Sequence, residues 1–314
     1  MSKLTIKDIA QLSGVGKSTV SRVLNQDPRV SAKTRKRVEE IIAQYDFQPS
    51  KSARAMRGMG TKTIGIIVSR LSSTSENTAL ATMLPLLYAH QCEPIIVESQ
   101  FNPNLVKSHL DYFSQRGVDG VILFAFSELD ERNLLPWQDK LVVIARNYAD
   151  ISSVYYNDEQ AIQALMQYLY QQGHRTINYL GVKDQDKTTG YLRHRAYLAF
   201  CQQHQLEANS IQGELGYEWA YQNVSAVLSP QISALVCATD AQAIGAIKYL
   251  QEHKLQHIQV CSMGNNPLLH FLFSNILTVD LGYAQAGESA VQQLLDLLET
   301  QKISHSCVDY QLFL

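Results

Sequence analysis

Near its N-terminus the chain reads TIKDIAQLSGVGKSTVSRVLN over residues 5–25, and this stretch decides the fold of the first domain. Thr5 is a good N-cap for a first short helix, in which Ile6 and Ile9 share one face. Ser13-Gly14 then supplies a break before a second helix begins. Two short helices around a tight turn are the pattern of a helix-turn-helix, a motif that binds DNA.

The second helix has two different faces. At about 100° per residue, Val20, Val23 and Leu24 fall on one side. The opposite side is polar and comprises Lys17, Ser18, Ser21 and Arg22. One face can therefore pack on a core while the other stays free for a DNA groove. Short amphipathic helix pairs also occur without DNA binding, so periodicity alone leaves both interpretations open.

The charge distribution favours the DNA interpretation. The whole chain carries a formal charge of only −2. Residues 1–60, however, contain 12 Lys and Arg against five Asp and Glu, a balance of +7, which leaves −9 on the remainder. A basic head on an acidic body is typical of proteins that bind nucleic-acid phosphates. A basic face that is merely solvated is the alternative.

The composition bounds the other function classes. With 46% hydrophobic and 18% charged residues, the 314 residues suit two or three domains. No stretch approaches the roughly 18 apolar residues of a membrane span, and the N-terminus lacks the apolar core of a signal peptide. We therefore expect a cytoplasmic protein with no membrane contact. Five cysteines and nine histidines show no metal-ligand spacing, and no catalytic motif stands out, so we expect no metal, no cofactor and no enzyme.

The stretch over residues 5–25, together with Val30-Ser31-Ala32-Lys33-Thr34-Arg35, resembles the N-terminus of LacI/GalR-family repressors nearly position for position. A third helix, which Ser31 can cap, presents Val38, Ile41, Ile42 and Tyr45 on the face that closes a small core. Residues 1–48 thus form the expected DNA-binding domain. The DNA contacts that the resemblance implies here are Thr5, Ile6, Lys17, Ser18, Thr19, Ser21, Arg22 and Asn25.

Residues 49–61 form a separate segment. Ser50 can cap a helix over residues 51–57, but about two turns are too short to be stable alone. A flexible linker is equally compatible with this composition. The family resemblance implies a hinge helix that orders on the operator as a dimer pair and inserts an apolar residue into the minor groove. The implied contacts are Ser52, Ala53 and Met56, and Met56 stands where the family usually has Leu.

From Lys62 onward, apolar strands alternate with helical stretches, a pattern typical of parallel sheets in α/β proteins. The expected strands are Thr63–Val68, Pro94–Glu98, Gly120–Phe124, Leu141–Ala145, Ile177–Leu180, Leu235–Ala238, Ile258–Met263 and Ile276–Val279. The resemblance implies that residues 62–314 form a two-lobed, periplasmic-binding-protein-like domain that binds an effector and dimerises. The expected fold class is therefore α/β, with an all-α helix-turn-helix head, and we expect a homodimer on palindromic operator DNA.

Two arginines follow expected strands, at positions where open parallel sheets bind ligands. Arg70 comes after the first strand and Arg146 after the fourth. For each alone a surface salt bridge is the more ordinary interpretation. Together they suggest an anion, because a planar guanidinium binds phosphate through paired donors. Residues 184–190 offer hydroxyls and exposed amides beside Arg193, although a plain surface loop is also compatible.

Several segments of the effector domain are similar to those of trehalose operon repressors, a group within this family, among them Thr188-Thr189-Gly190, Cys237-Ala238-Thr239-Asp240 and Gly282-Tyr283-Ala284. The resemblance implies trehalose 6-phosphate as inducer and a pocket of Arg70, Glu76, Arg146, Asp186, Lys187, Thr188, Thr189, Arg193, Asp240, Ala241 and Tyr283. Ala241 departs from the usual hydroxyl-bearing residue, so any contact there has to come from its backbone. Trp219 suits either a sugar-stacking or a buried structural role. The alternatives are a repressor of the same family with another effector, such as a free sugar, another sugar phosphate or a purine, a sugar-transport protein, and a sugar-phosphate enzyme.

Overall fold

The computed structural model describes residues 5–24, 27–45, 47, 61–273 and 275–313. It divides into two compact units, Met1–Thr61 and Lys62–Leu314. Across the described ranges, no helix is both long enough and apolar enough to cross a membrane.

The first unit contains the helices α1 (Ile6–Ser13), α2 (Lys17–Leu24) and α3 (Ala32–Gln44). A reciprocal capping box starts α1: Thr5 Oγ1 accepts from the backbone N–H of Asp8, and the backbone N–H of Thr5 donates to Asp8 Oδ2 at 2.7 Å. Gly14 ends α1 with φ of +66°, in the left-handed region that glycine adopts without steric cost. The chain turns there into α2, which confirms the helix-turn-helix.

Apolar side chains from the three helices form the core of this unit. Its buried members are Ile9, Ala10, Val20, Val23, Val38 and Phe47. Tyr45, which the sequence places in this core, is 44% exposed at the C-cap of α3. The helix ends before it, and the N–H of Phe47 then donates to the carbonyl of Ile42 at 3.0 Å. This turn brings Phe47 into the core instead, so the expectation for Tyr45 is wrong.

The second unit has twelve strands and eight α-helices among its described residues. The strands are β1 (Lys62–Val68), β2 (Cys92–Glu98), β3 (Gly120–Phe124), β4 (Leu141–Ile144), β5 (Ser152–Tyr156), β6 (Ile177–Val182), β7 (Ser210–Gly213), β8 (Ala234–Cys237), β9 (Gln259–Met263), β10 (Leu277–Asp280), β11 (His305–Val308) and β12 (Gln311–Phe313). The helices are α4 (Thr74–Ala89), α5 (Pro103–Arg116), α6 (Asp158–Gln171), α7 (Arg193–Gln203), α8 (Tyr217–Asn223), α9 (Asp240–Glu252), α10 (Pro267–Leu272) and α11 (Tyr283–Thr300). A π-helical turn spans Lys187–Leu192.

The strands form two six-stranded sheets, each at the centre of one lobe. The first lobe has the strand order β11-β5-β4-β3-β1-β2 and the second β12-β10-β9-β8-β6-β7. Among the described strands, every pair is parallel except β10 with β12. The chain enters the second lobe after β5, returns to the first lobe with α11, and crosses again between β11 and β12.

Helices cover both faces of each sheet. In the first lobe α4 and α11 pack on one face through residues such as Met83 and Leu294, and α5 packs on the other through Phe113. In the second lobe α6 and α7 cover one face, and α8 and α9 the other. Burial on both sides explains the continuous apolar runs, since β3 and β4 are buried along their whole length.

The eight expected strands are all present, with bounds that differ by no more than two residues. The other four strands lack a clear apolar run and were not predicted; they are β5, β7, β11 and β12. In β5, Ser152 and Ser153 interrupt the run yet are fully buried. Hydrogen bonds satisfy them, because Ser153 Oγ donates to the carbonyl of Ile151 at 2.7 Å and Ser152 Oγ accepts from the N–H of Ser304 at 3.2 Å. The other three are short strands at sheet edges.

Candidate functional site

The solvent-facing side of α2 carries the side chains predicted to contact DNA bases. Lys17, Ser18 and Arg22 are exposed, whereas Val20 and Val23 are buried in the core beneath them. Among the described residues, neither Lys17 nor Arg22 forms an ion pair. An element that enters a DNA groove needs this separation of a packed face from a free one.

The other predicted DNA contacts have different surroundings. Ile6, Thr19 and Ser21 are partly buried beside the exposed face of the motif. Thr5 is exposed, and its hydroxyl donates to Asp8 Oδ2 at 2.7 Å. Asn25, Ser52, Ala53 and Met56, together with the predicted hinge helix, lie outside the described residues.

A cavity of about 460 Å³ lies between the two lobes, and we call it the inter-lobe cavity. Segments that follow β1, β2 and β3 line it from the first lobe, and segments that follow β6, β7 and β8 line it from the second. The predicted effector residues in its wall are Arg70, Glu76, Asp186, Thr188, Thr189, Arg193, Asp240, Ala241 and Tyr283. The cavity thus lies at the carboxyl ends of the strands, where open parallel sheets bind ligands.

Arg146 and Lys187 line a second cavity, of about 490 Å³, which we call the side cavity. The two cavities adjoin, because Ala145, Tyr156 and Thr188 line both. The residues that the sequence assigns to one pocket are therefore distributed along two neighbouring cavities.

The arginines of the first lobe keep donor groups that no described residue satisfies. The guanidinium carbon of Arg70 lies 5.3 Å from the ring centre of Phe101, and its buried Nε has no hydrogen-bond partner among the described residues. Arg146 lies 5.6 Å from the ring centre of Tyr148, and within the same ranges its buried Nη1 also lacks a partner. Buried donors are normally satisfied, and an anion satisfies a guanidinium well.

Strained backbone coincides with both arginine environments. Gln100 and Phe101 have φ of +52° and +55°, and Ala145 has φ of +76°. Non-glycine residues in this region cost of order 1–3 kcal/mol each and are retained chiefly at functional sites. Phe101 lies under Arg70, and Ala145 directly precedes Arg146, so each of these turns adjoins one of the two cations.

Arg193, at the start of α7, is bound within the protein. Its Nε donates to Asp158 Oδ1 at 2.7 Å and its Nη1 donates to the carbonyl of Ala238. The side chains of Arg193 and Asp158 are 4% and 1% exposed. Burial disfavours the charge on Arg193, but Asp158 and Tyr283 outweigh it and raise the pKa of the guanidinium. Arg193 therefore joins α7 to α6 beneath the cavity.

Asp186 organises the π-helical turn that follows it. Its Oδ1 accepts from the N–H groups of Thr188 and Thr189, each at 3.0 Å, and from the Thr188 hydroxyl at 3.1 Å. The expectation of exposed amides is therefore wrong for these two residues, because Asp186 already binds them. The N–H of Lys187 donates to Ser127 Oγ, in the first lobe, at 2.7 Å. The turn is thus attached to both lobes.

Two acidic residues in the cavity wall are also bound by the protein. Glu76 accepts from the N–H of Ser69 at 2.8 Å and from the Ser69 hydroxyl. Asp240 Oδ1 accepts from the Ser262 hydroxyl at 2.7 Å. Burial raises the pKa of both carboxyl groups, that of Asp240 to about 6. Both remain in contact with the cavity, where a ligand hydroxyl would meet them.

Part of the cavity wall is formed by residues that the sequence pattern does not indicate. Phe124 and Phe126 lie at the end of β3, but their apolar character makes them look like strand residues. Tyr217 and Glu218 follow β7, a strand that the sequence does not reveal. Trp219 lies outside the lining set and packs its ring against Gly213, in favour of the structural role. In the described part of the chain, no group of side chains could hold a metal ion.

Two family models match the sequence: residues 5–50 match bacterial regulatory proteins of the lacI family, and residues 166–312 match a periplasmic binding protein-like domain. The chain is similar to the HTH-type transcriptional regulator TreR of Escherichia coli (strain K12), with 53% identity over 294 residues, or 94% of this chain and 93% of the relative. The regulator TreR of Salmonella typhimurium is 52% identical over 295 residues, which cover 94% of each chain.

Two solved structures of repressors are similar to this chain in fold. The trehalose repressor from Escherichia coli superposes with a TM-score of 0.79 at 46% identity, covering 81% of this chain and all of that one (100%). The Lac repressor dimer bound to operator and the anti-inducer ONPF has a TM-score of 0.83 over 99% of this chain and 98% of that chain. At 21% identity, this second likeness concerns the fold alone.

Proposed function

Because the chain belongs to the LacI family of bacterial regulatory proteins, we propose that it represses an operon for trehalose uptake or use and that trehalose 6-phosphate releases it from its operator. The relatives at 53% and 52% identity are named as transcriptional regulators, not as enzymes. The chain is accordingly a regulator, and its cavities are binding sites.

The observation that carries the choice of effector is the pair of arginines in the first lobe. Arg70 and Arg146 each keep a buried donor nitrogen without a partner among the described residues. A neutral sugar needs no such cations, whereas a phosphate accepts paired hydrogen bonds from a guanidinium. The carboxyl groups of Glu76 and Asp240 and the aromatic rings of the wall suit the hydroxyls and faces of sugar rings.

At the operator, Lys17, Ser18 and Arg22 contact base edges in the major groove, in this proposal. Thr5, Ile6, Thr19, Ser21 and Asn25 support them, chiefly at the phosphates. Ser52, Ala53 and Met56 act in the minor groove, with Met56 as the apolar wedge. Base contacts set sequence preference, and phosphate contacts set affinity for all sites alike.

A homodimer on a palindromic operator is part of the proposal. Exposed apolar side chains on α10 support it, since Phe271 is 85% exposed and Leu268 and Leu272 are 52% and 55% exposed. A contiguous apolar surface of this kind favours contact with another protein surface. Sedimentation of the purified chain, compared with its Phe271→Ser variant, tests this element.

The test of the function combines operator release with calorimetry. Selection from a random duplex library gives the operator, and a mobility-shift assay then follows release by trehalose 6-phosphate, trehalose and glucose 6-phosphate. We expect trehalose 6-phosphate alone to release the DNA at low concentration. Release by another sugar or sugar phosphate in its place would favour the alternative, a LacI-family repressor with a different effector.

A further inference from the structure

The four carboxylates of the inter-lobe cavity differ in how far the protein uses them. Glu76, Asp186 and Asp240 each accept hydrogen bonds from neighbouring protein groups, as described above. Among the described residues, no backbone N–H donates to Glu218, and the Glu218 side chain raises the pKa of the adjacent Tyr217 hydroxyl. Glu218 therefore keeps more acceptor capacity for a ligand than the other three.

The packing of α8 on α9 fixes the place of Glu218 in the wall. A Cβ atom on Gly245 of α9 would lie 2.1 Å from the carbonyl oxygen of Tyr217 and 2.9 Å from the Cβ of Ala220. Only glycine permits so close an approach of the two helices. Ala241 lies one turn before Gly245 on the same face of α9. Tyr217 and Glu218 thus stand beside Ala241.

The groups that α9 contributes to this wall after Asp240, its first residue, are apolar. Ala241 brings a methyl group and Ile244 an apolar side chain to the cavity. A sugar ring at this place would lose water from its hydroxyl groups, which is costly unless acceptors replace it. Glu218 offers two acceptor oxygens for neighbouring hydroxyls, and the Tyr217 hydroxyl can both donate and accept.

The two cavities are placed so that the two ends of an elongated phosphosugar can bind in different cavities. Arg146 and Lys187 line only the side cavity, whereas Glu218 lines only the inter-lobe cavity. A ligand with its phosphate near Arg146 extends its other end into the inter-lobe cavity. Resting on the proposed function, we propose that Glu218, assisted by Tyr217, determines specificity by binding the hydroxyls of the non-phosphorylated ring of the disaccharide.

Calorimetry of the full chain with three ligands tests this role. We expect Glu218→Ala to weaken binding of trehalose 6-phosphate and of trehalose about tenfold each, because it removes a charged hydrogen-bond acceptor. Glu218→Gln should weaken binding of both ligands less, because the amide keeps one acceptor oxygen. Glucose 6-phosphate lacks the second ring, so its affinity, measured by competition, should stay at the wild-type value. Glu207→Ala, at an exposed site outside both cavities, is the matched control.

The outcomes separate this inference from the proposed function. A wild-type protein that binds neither trehalose 6-phosphate nor trehalose overturns both. Wild-type binding with an unchanged affinity in Glu218→Ala overturns the role of Glu218 alone, and so does an equal loss for glucose 6-phosphate. Tyr217→Phe provides a second variant whose site is 53% exposed, so folding is not at stake.

Discussion

The two lobes use the arginines that line the inter-lobe cavity and the side cavity in opposite ways. In the first lobe, Arg70 and Arg146 follow strands and keep buried nitrogen atoms without partners among the described residues. In the second lobe, Arg193 also borders the cavity, but Asp158 and the carbonyl of Ala238 bind its guanidinium. One lobe therefore presents cations to a ligand, and the other uses its cation to hold the protein together.

Because of this difference, the arginines of the first lobe should affect ligand affinity, and Arg193 of the second lobe should affect protein stability. A cation with free donors contributes to ligand binding and little to folding, whereas a buried, paired cation is needed to avoid an unpaired carboxylate in the interior. A binding site works best when a rigid shell supports the groups that contact the ligand. The second lobe provides such a shell through Arg193 and Asp186, so substitutions in the two lobes should have different consequences.

The largest expected effect is that of Arg193→Ala. It leaves the Asp158 carboxylate buried without its partner, and we expect the free energy of unfolding to fall by about 3–5 kcal/mol. Urea unfolding followed by circular dichroism measures the change. Arg195→Ala is the matched control, because Arg195 lies on the same helix and pairs with Glu159 at the surface. Equal stability of the two variants would show that the buried pair has no special role.

A loss of ligand response without a loss of stability is expected for Arg146→Ala. Removing a charged donor from the phosphate should weaken binding of trehalose 6-phosphate about 100-fold, and operator binding should be kept. A reporter assay would then show persistent repression, and calorimetry would show the weaker binding. Arg132→Ala, which removes an exposed arginine paired with Asp130, is the control. A wild-type response of Arg146→Ala would remove Arg146 from the effector site.

The first-lobe side of this contrast was predictable from the sequence, because Arg70 and Arg146 directly follow strands that the sequence reveals. Apolar runs revealed eight of the twelve described strands, and the rule that ligands bind at strand ends identified Arg70 and Arg146. The helix-turn-helix followed from local signals, a capping threonine and a glycine break, which need no tertiary information. Residues with a strong local pattern are therefore the ones that the sequence reveals.

The remaining features depend on contacts between distant segments. Arg193 and Asp158 are 35 positions apart in the sequence, and no periodic pattern predicts that they pair. Arg146 and Lys187 line a different cavity from Arg70, and the two cavities adjoin at Ala145, Tyr156 and Thr188, which are far apart in the sequence. The sequence does not indicate that Glu218 lines the cavity, because β7, the strand before it, is a short edge strand with little apolar pattern.

A smaller effect, on the pH dependence of stability, is expected from Asp240 in the second lobe. Its pKa of about 6 lies above the ordinary value of 3.8, so the folded protein binds this proton more tightly than the unfolded chain. The stabilisation is complete below about pH 4 and is lost as the pH rises through about 6. Between pH 4 and 7, wild-type stability should fall by about 1–3 kcal/mol more than that of Asp240→Asn. Urea unfolding across this range measures it, with Asp111→Asn, at an exposed position on α5, as the matched substitution control.

The smallest expected effect concerns Ser127, through which the first lobe contacts the rigid turn of the second. Ser127→Ala removes the acceptor for the N–H of Lys187, a bond of 2.7 Å that holds Lys187 and Thr188 where they line the cavities. A single neutral hydrogen bond contributes about 0.5–1.5 kcal/mol, so binding of trehalose 6-phosphate should weaken roughly two- to tenfold. The effect should be well below that of Arg146→Ala, because Ser127 positions the turn and carries no charge. Calorimetry can resolve it against Ser108→Ala, an exposed serine on α5 outside both cavities. If Ser127→Ala bound the effector like wild type, the two lobes would position their arginines independently of this contact.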